Sequence, residues 1–326
     1  MAGRVLARVA RSLLLLVVSV LVSYVVASAA LSPRAYFEDR TPRPPAPAVD
    51  RELAGLNLDD GTPVLVRFGH WSWRALHGDL GRTLDGEPVD AEFGRRVGVS
   101  VRLLLVGTVA GTGLGVLAGV WAAVRRGRLP DHAMTVLSFL VLSVPTFVLA
   151  LLLKDGALSL NHAVGHTVIR YTGESTPGHG GGWASQAADR ASHLVLPAAT
   201  VALGVFSSYS RYQRAATLDV LAADHLRTAQ AKGLTPGRAL FRHGLRVSLV
   251  PMTTFFSFGF LALFTGSVFA EQIFGWPGMG CWFLDATQKG DVNSVVAVCL
   301  FAAVTVLLAG LLADALLFVL DPRVRR

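Results

Sequence analysis

SRYQRAATLDVLAADHLRTAQAKGLTPGRALFRHGLR, read from Ser210 to Arg246, is a long polar stretch with strongly apolar sequence on both sides. Residues 211–246 carry seven basic side chains (Arg211, Arg214, Arg227, Lys232, Arg238, Arg242, Arg246) against two acids, Asp219 and Asp224. In the first half, Leu218, Leu221, Ala222, Leu226 and Ala229 recur at helical spacing. Asp224 is the expected N-cap of a short helix from His225 to Lys232, with Gly233 at its C′ position. Thr235-Pro236 then reads as N-cap and first helical residue of a second helix leading towards Arg246. The stretch is expected to be a basic helix–turn–helix.

The flanks say where it sits. Of the 326 residues, 52% are hydrophobic and only 16% charged, whereas a soluble domain carries about 25% charged residues. Six apolar spans are expected, over Ser12–Leu31, Val99–Val124, Ala133–Leu153, His193–Ser210, Val247–Ala270 and Val295–Leu320. Each is near the ~20 residues that cross a hydrocarbon core, the fourth being the shortest. The expected fold class is an all-α, polytopic membrane helical bundle with six transmembrane helices.

Arg4, Arg8 and Arg11 precede the first span and place the N-terminus in the cytoplasm. Alternation from there gives cytoplasmic segments a net charge of +12 and external segments −4; Arg102 and Asp314 lie inside spans and cancel, leaving the overall +8. That uneven distribution follows membrane topology rather than nucleic-acid binding. Arg95, Arg96 and Arg102 sit on the wrong side, but long external segments are read poorly by this rule. The first span has a basic start and a signal-like Ala27-Ser28-Ala29, yet its apolar run is long and five spans follow. It reads as an uncleaved anchor.

The expected organisation is a tail and first helix (1–31), an extracytoplasmic segment (32–94), a membrane-spanning core (95–320) with the loop 211–246 inside it, and a cytoplasmic tail (321–326). The segment 32–94 opens with a Pro-rich run from Thr41 to Pro47, then carries Val64, Leu65, Phe68, Trp71, Trp73 and Leu76, residues suited to a membrane surface. Residues 154–192 read as irregular, with a Gly-rich patch from Gly178 to Gly182. In the second span Gly107, Gly111, Gly115 and Gly119 are four apart and share one helix face, where backbones can approach closely. Pro145 interrupts the third span; Pro197 and Pro251 lie near the starts of the fourth and fifth.

Three readings of the basic loop compete: a site for anionic lipid headgroups, a DNA-binding helix-turn-helix, and a helix presented to the groove of a cytoplasmic partner. Flanks that enter the membrane within a few residues count against DNA. The run Arg227-Thr228-Ala229-Gln230-Ala231-Lys232-Gly233-Leu234, with Arg242-His243-Gly244-Leu245-Arg246 and Pro251, resembles the EAA-type coupling loop of ABC importer permeases. The resemblance is closest to the B-type subunit of the oligopeptide/dipeptide/nickel group. Other ordered stretches fit the same family: Gly78-Asp79-Leu80-Gly81, Val144-Pro145-Thr146-Phe147, His193 to Pro197, Glu271 to Gly280, and Leu320-Asp321-Pro322-Arg323. Arg227-Thr228-Ala229 stands where the broad family has Glu-Ala-Ala, and Lys154-Asp155 cuts short an apolar stretch that is often longer.

The resemblance implies a type I ABC importer permease fold with coupling residues at Asp224, Arg227, Thr228, Ala229, Ala231, Lys232, Gly233 and Leu234. No phosphate-cradling G-x-x-x-x-G-K-[ST] loop occurs, since none of the three lysines (Lys154, Lys232, Lys289) follows a glycine. ATP and Mg are therefore expected in partner subunits, with no cofactor in this chain and no enzymatic role of its own. The implied partners are a second permease subunit forming a heterodimer, two cytoplasmic ATPase subunits or domains, an extracytoplasmic substrate-binding protein and membrane lipid. Peptides delivered by the binding protein are the implied cargo, with nickel or glutathione-like cargo, or an ion-gradient transporter, as alternatives. The implied location is a bacterial plasma membrane, with both termini cytoplasmic.

Other candidate groups carry weaker signals. Phe256, Phe260 and Phe264 recur every four residues and could line a pathway or simply pack. Asp314 is an intramembrane carboxylate, a functional candidate by default, near enough to the last span's end to hold a packing contact instead. His162 and His166, at i,i+4 with His179 nearby, could share a metal, but no acidic cluster accompanies them and no metal site is assigned. Cys281 and Cys299 give no disulfide framework, and no nucleophile–base set is spaced for catalysis.

Overall fold

The computed structural model describes residues 2–320 of the chain; the side chains of residues 1–9, 254 and 257–266 lie outside the described set. Among the described residues all the regular structure is helical, apart from one isolated β-bridge between Arg82 and Pro88. The helices in chain order are α1 (Ala2–Ala30), α2 (Pro33–Glu38), α3 (Ala46–Gly55), α4 (Val64–Leu76), α5 (Val89–Val124), α6 (Leu129–Ser143), α7 (Thr146–Val164), α8 (Trp183–Ala222), α9 (Asp224–Ala231), α10 (Pro236–Ala239), α11 (Leu245–Phe274), α12 (Met279–Lys289) and α13 (Val292–Leu320). A π-helical turn, Leu240–Gly244, joins α10 to α11. Among the described residues five helices are long and apolar enough to cross a membrane: α1 (over Ala10–Ala30), α5, α7, α8 and α13. The 30-residue α11 is equally long and apolar in sequence. Outward-facing Leu13, Leu14, Val18, Leu105, Val109 and Leu117 are surface that hydrocarbon, not water, would solvate.

The chain divides into two compact units, Met1–Ser100 with Pro277–Leu307, and Val101–Trp276 with Leu308–Arg326. In the first, α1 packs on α4 through Tyr24, Phe68 and Trp71, with ring centroids 5.5 to 6.2 Å apart. The Trp71 indole donates to the Leu80 carbonyl at 3.1 Å. Gly81 has φ +96°, and the Asn293 side chain lies 3.2 Å from where its Cβ would be. That side chain donates to the carbonyls of Arg82 (2.9 Å) and Leu56 (3.2 Å). Asp291 caps α13, accepting the Ser294 N–H at 3.1 Å and the Leu84 N–H at 3.2 Å. Burial pushes its carboxyl above the ordinary range against these hydrogen bonds.

In the second unit α8 is the axis, with α5, α6, α7 and α11 against it. At 40 residues it is the longest helix, about 60 Å at 1.5 Å per residue. The fourth span, expected as the shortest, is only its middle. Pro197 lies inside α8 and Pro251 inside α11, neither ending its helix. Pro145 does end one: Val144 before it is extended (φ −91°, ψ 123°), as pre-proline sterics favour. The expected third span is therefore two helices, α6 and α7, both packed on α8.

Three further expectations are corrected. Lys154-Asp155 does not cut the third span short. The Lys154 Nζ donates to the Ile273 carbonyl at 2.6 Å, in the last turn of α11, and α7 continues to Val164. A lysine can close a helix this way because the last-turn carbonyls lack intrahelical partners. Residues 154–192 are consequently irregular only between Gly165 and Gly182. Asp189 of α8 holds that loop, its carboxylate accepting both the N–H and the hydroxyl of Thr176 at 2.7 Å. Finally, residues 211–222 are not loop but the end of α8, and 245–246 already belong to α11.

Candidate functional site

The corner between α8 and α11 holds the segment singled out by sequence. One residue makes the first turn: Ala223 is extended (φ −75°, ψ 144°). Its carbonyl accepts the N–H groups of Leu226 (3.1 Å) and Arg227 (3.4 Å), which starts α9. Ala223 is therefore the N-cap. Asp224, expected there, is the first helical residue and makes no side-chain cap bond. The cause is that α8 persists to Ala222, leaving one residue for the reversal. The Asp224 carboxylate still lies in the positive first turn, 3.8 Å from Arg227 in an exposed pair.

α9 ends as its glycine requires. Gly233 has φ +92°; its N–H donates to the Gln230 carbonyl at 2.9 Å and the Leu234 N–H to the Ala229 carbonyl at 3.3 Å. These are the two bonds of a Schellman motif, with glycine in the left-handed position. Thr235 is extended and caps α10, Pro236 is its first residue, and the Ala239 N–H donates to the Thr235 carbonyl at 2.9 Å. The expected second helix runs on without a break through the π turn into α11.

One side of α9 is anchored. Leu226 is 0% exposed and packs with Val120, Val220, Ala239 and Leu240, with Leu221, Ala229, Leu234 and Leu245 around them. A Cβ on Gly244 would lie 2.9 Å from both Leu240 Cδ1 and Val220 Cγ1, so glycine lets the π turn close on this cluster. The other side is free of the bundle: Asp224, Arg227, Thr228 and Ala231 share one face at i, i+3, i+4 and i+7, with Lys232 and Gly233 exposed beyond them. Of the eight coupling residues expected from sequence, Ala229 and Leu234 turn inward and the other six outward.

Side chains to which the sequence reading gave no role complete the corner. Phe241 is 68% exposed between Arg238 and Arg242, both also exposed; a lone aromatic inside a basic run was the available signal. Asp131, in the first turn of α6 and 2% exposed, accepts from Arg214 of α8 at 2.5 and 2.8 Å and from the Gly127 N–H at 2.9 Å. These partners lie 83 positions apart, and no spacing rule connects them. Buried Gln213 donates to Thr217 and Ser248, both at 3.0 Å, tying α8 to α11. The Arg246 guanidinium donates to the carbonyls of Val319 (2.6 Å) and Leu320 (2.7 Å), closing the end of α13.

Along α8 three of the four glycines of α5 meet backbone, and Gly107 meets the Val201 side chain. A Cβ on Gly107 would be 2.8 Å from Val201 Cβ, on Gly111 2.6 Å from the Ala202 carbonyl oxygen, on Gly115 2.9 Å from that of Phe206, and on Gly119 2.5 Å from that of Ser210. Phe256 is half-buried on α11, while the side chains of Phe260 and Phe264 lie outside the described residues. Asp314 is half-buried on α13. His162 belongs to α7 but His166 follows Gly165, whose φ of +77° ends the helix, so the pair does not share a helical face. Among the described residues no group of three His, Cys, Asp or Glu side chains is placed to hold a metal ion.

Comparisons with known proteins give this arrangement its family. Residues 115–326 match the model for the binding-protein-dependent transport system inner membrane component. The oligopeptide transport system permease protein OppB of Mycobacterium tuberculosis is 50% identical over 98% of this chain and 97% of its own length. The oligopeptide transport system permease protein AppB of Bacillus subtilis is 34% identical over 84% of the chain and 83% of its own length. The dipeptide transport system permease protein DppB of Escherichia coli K12 is 32% identical over 84% of both chains. With a family match over most of the sequence and relatives aligned nearly end to end, the chain belongs to the binding-protein-dependent transport system inner membrane component family, as an all-α, multi-pass ABC permease subunit.

Proposed function

We propose that this chain is the translocating subunit of an ATP-driven importer of di- and oligopeptides. The cargo follows the relatives' printed names, which are oligopeptide and dipeptide permeases. The observation that carries the coupling role is the outward face of α9, with Asp224, Arg227, Thr228 and Ala231 in one row on a short helix pinned chiefly by the fully buried Leu226. A short helix with one buried anchor and an exposed polar row is a shape that fits a partner's groove. The exposed Phe241 adds an apolar contact beside it.

In this reading the corner faces the cytoplasm and meets one of two ATPase subunits, where ATP and Mg reside. A second permease subunit completes the heterodimer, and an extracytoplasmic binding protein delivers peptide to the opposite end. Both termini are cytoplasmic, in a bacterial plasma membrane. The core is residues 95–320, with 211–246 as its coupling segment and Phe256, Phe260, Phe264 and Asp314 as candidate pathway groups. Closure of the ATPase pair moves α9. α8, continuous through Pro197, carries that displacement along its length of about 60 Å, 1.5 Å for each of its residues.

The test is peptide uptake in cells carrying Arg227→Glu or Gly233→Pro. Proline cannot take φ +92° and lacks the N–H that bonds Gln230. Both variants are expected to reach the membrane at normal levels, lose uptake and retain less ATPase on purification. Wild-type uptake in both would sink the assignment.

A further inference from the structure

Arg67 is a buried cation without a counter-ion. It lies in the first turns of α4 and is 8% exposed. Its Nε has no hydrogen-bond partner, and among the described residues no carboxylate forms an ion pair with it. Its backbone is fixed, since the Asn57 side-chain amide donates to the Arg67 carbonyl at 2.8 Å. A largely buried guanidinium with no carboxylate partner and an unmet Nε–H favours an anion.

That preference is aimed at a space. A cavity of about 380 Å³ is lined by Arg67, Ser28, Ser32, Arg34, Glu38 and Leu31 among others. The other charges on its wall are already engaged. Arg34 donates to Asp60 at 3.0 and 3.1 Å and to Asp50 at 2.7 Å, and Glu38 pairs with Arg43 at 2.8 Å. Ser28 Oγ, in the last turn of α1, is buried and unpartnered. So is the hydroxyl of Tyr24, one turn earlier and fully buried. The wall thus offers one unneutralised guanidinium and an unused hydroxyl, with apolar Leu31, Leu53, Leu58 and Val292 beside them.

The geometry points to a phosphate site at this cavity, and the occupant we assign is the headgroup of an anionic phospholipid. Guanidinium and phosphate match as a planar fork against a multi-oxygen anion. The cavity opens where the apolar run Ala10–Ala30 of α1 ends, the depth at which phospholipid phosphates lie. Its mixed polar and apolar lining suits a headgroup with its glycerol stem better than a free ion. Each surrounding acid is hydrogen-bonded to or paired with Arg34 or Arg43, which lessens its repulsion of an anion at Arg67.

The test uses the full chain, purified with the subunits that accompany it and delipidated in detergent. Native mass spectrometry follows retention of phosphatidylglycerol against phosphatidylcholine, and thermal shift follows added inorganic phosphate. Phosphatidylglycerol is expected to be retained preferentially, with affinity about tenfold lower in Arg67→Met, as loss of a charge-assisted bidentate contact implies. Arg67→Lys, a point charge without the fork, is expected to lose only a few-fold. Should Arg67→Met fail to fold, Ser28→Ala carries the test, with an expected loss of about threefold from one hydrogen bond. Stabilisation by inorganic phosphate that depends on Arg67, without preference between the lipids, would keep the phosphate site and replace its source. Equal retention of both lipids with no effect of phosphate, retention unchanged by Arg67→Met or Ser28→Ala, or Arg67-dependent displacement by a short peptide would overturn it.

Discussion

The seam between α5 and α8 and the corner at α9 use glycine for opposite reasons. At Gly111 there is no room: a Cβ would sit 2.6 Å from the Ala202 carbonyl oxygen, on a backbone that cannot step aside. At Gly233 there is nothing within 4 Å of a Cβ, yet φ is +92°, which side chains rarely adopt. The first glycine serves contact between helices and the second serves the path of one chain. In membranes, where apolar surface alone does not hold helices together, close backbone approach is a main source of cohesion. The difference identifies a tightly packed α5–α8 body and a short appended helix held by the two backbone bonds at its end and a small apolar cluster around Leu226.

Substitutions can break or sharpen that contrast. Gly111→Val should have the largest effect, destabilising by more than about 3 kcal/mol, because overpacking against backbone has no rotamer escape. Thermal unfolding or loss of monodisperse protein reads it, and near-wild-type stability would refute the close seam. Asp131→Asn comes next. It acts at the seam's end, where a Cβ on Gly119 would already lie 3.0 Å from the Arg214 nitrogen. Breaking a buried pair costs about 3–5 kcal/mol; with the Arg214 side chain 31% exposed, about 2 kcal/mol is expected. A double variant with Arg214→Met should recover part of it, and strict additivity would deny the pairing.

Gly233→Ala should cost about 1 kcal/mol, the strain of a left-handed alanine. It should weaken transport more than unfolding temperature, because it disturbs the end of α9 and not the seam. Equal damage to both would mean that the corner and the seam are one cooperative structure. Gly113→Ala is the smallest and has the opposite sign. It lies in α5 between the seam glycines with nothing within 4 Å, so alanine should stabilise by roughly 0.5 kcal/mol through helix propensity. Destabilisation there would show that α5 is packed on more than one face.

Much of this was legible in the sequence, for identifiable reasons. The i, i+4 spacing of Gly107, Gly111, Gly115 and Gly119 marks one helix face whatever packs on it. Gly233 and Thr235-Pro236 were legible because caps are local: left-handed glycine and proline at a first helical position depend on a few neighbouring residues. Asp224 misled by one position because its environment is not local. It depended on α8 persisting to Ala222, which packing against α11 allows and hydrophobicity of residues 211–222 does not announce. The third and fourth spans failed likewise, since Lys154 and the polar residues of 183–192 look like span ends until their partners, the Ile273 carbonyl and Thr176, are known.

By itself the sequence determined that this is an all-helical membrane chain, that a basic excursion interrupts its apolar spans, that the excursion turns at Gly233 and Thr235-Pro236, and which face of α5 must be small. Those properties follow from composition, period and backbone dihedral preference, all short-range. Tertiary structure alone decided that Asp131 meets Arg214 across 83 positions, that Leu226 anchors α9 while Arg227 does not, and that Arg67 faces a cavity without a counter-ion. Each depends on residues brought together from different helices, and no periodicity along one helix encodes its neighbour.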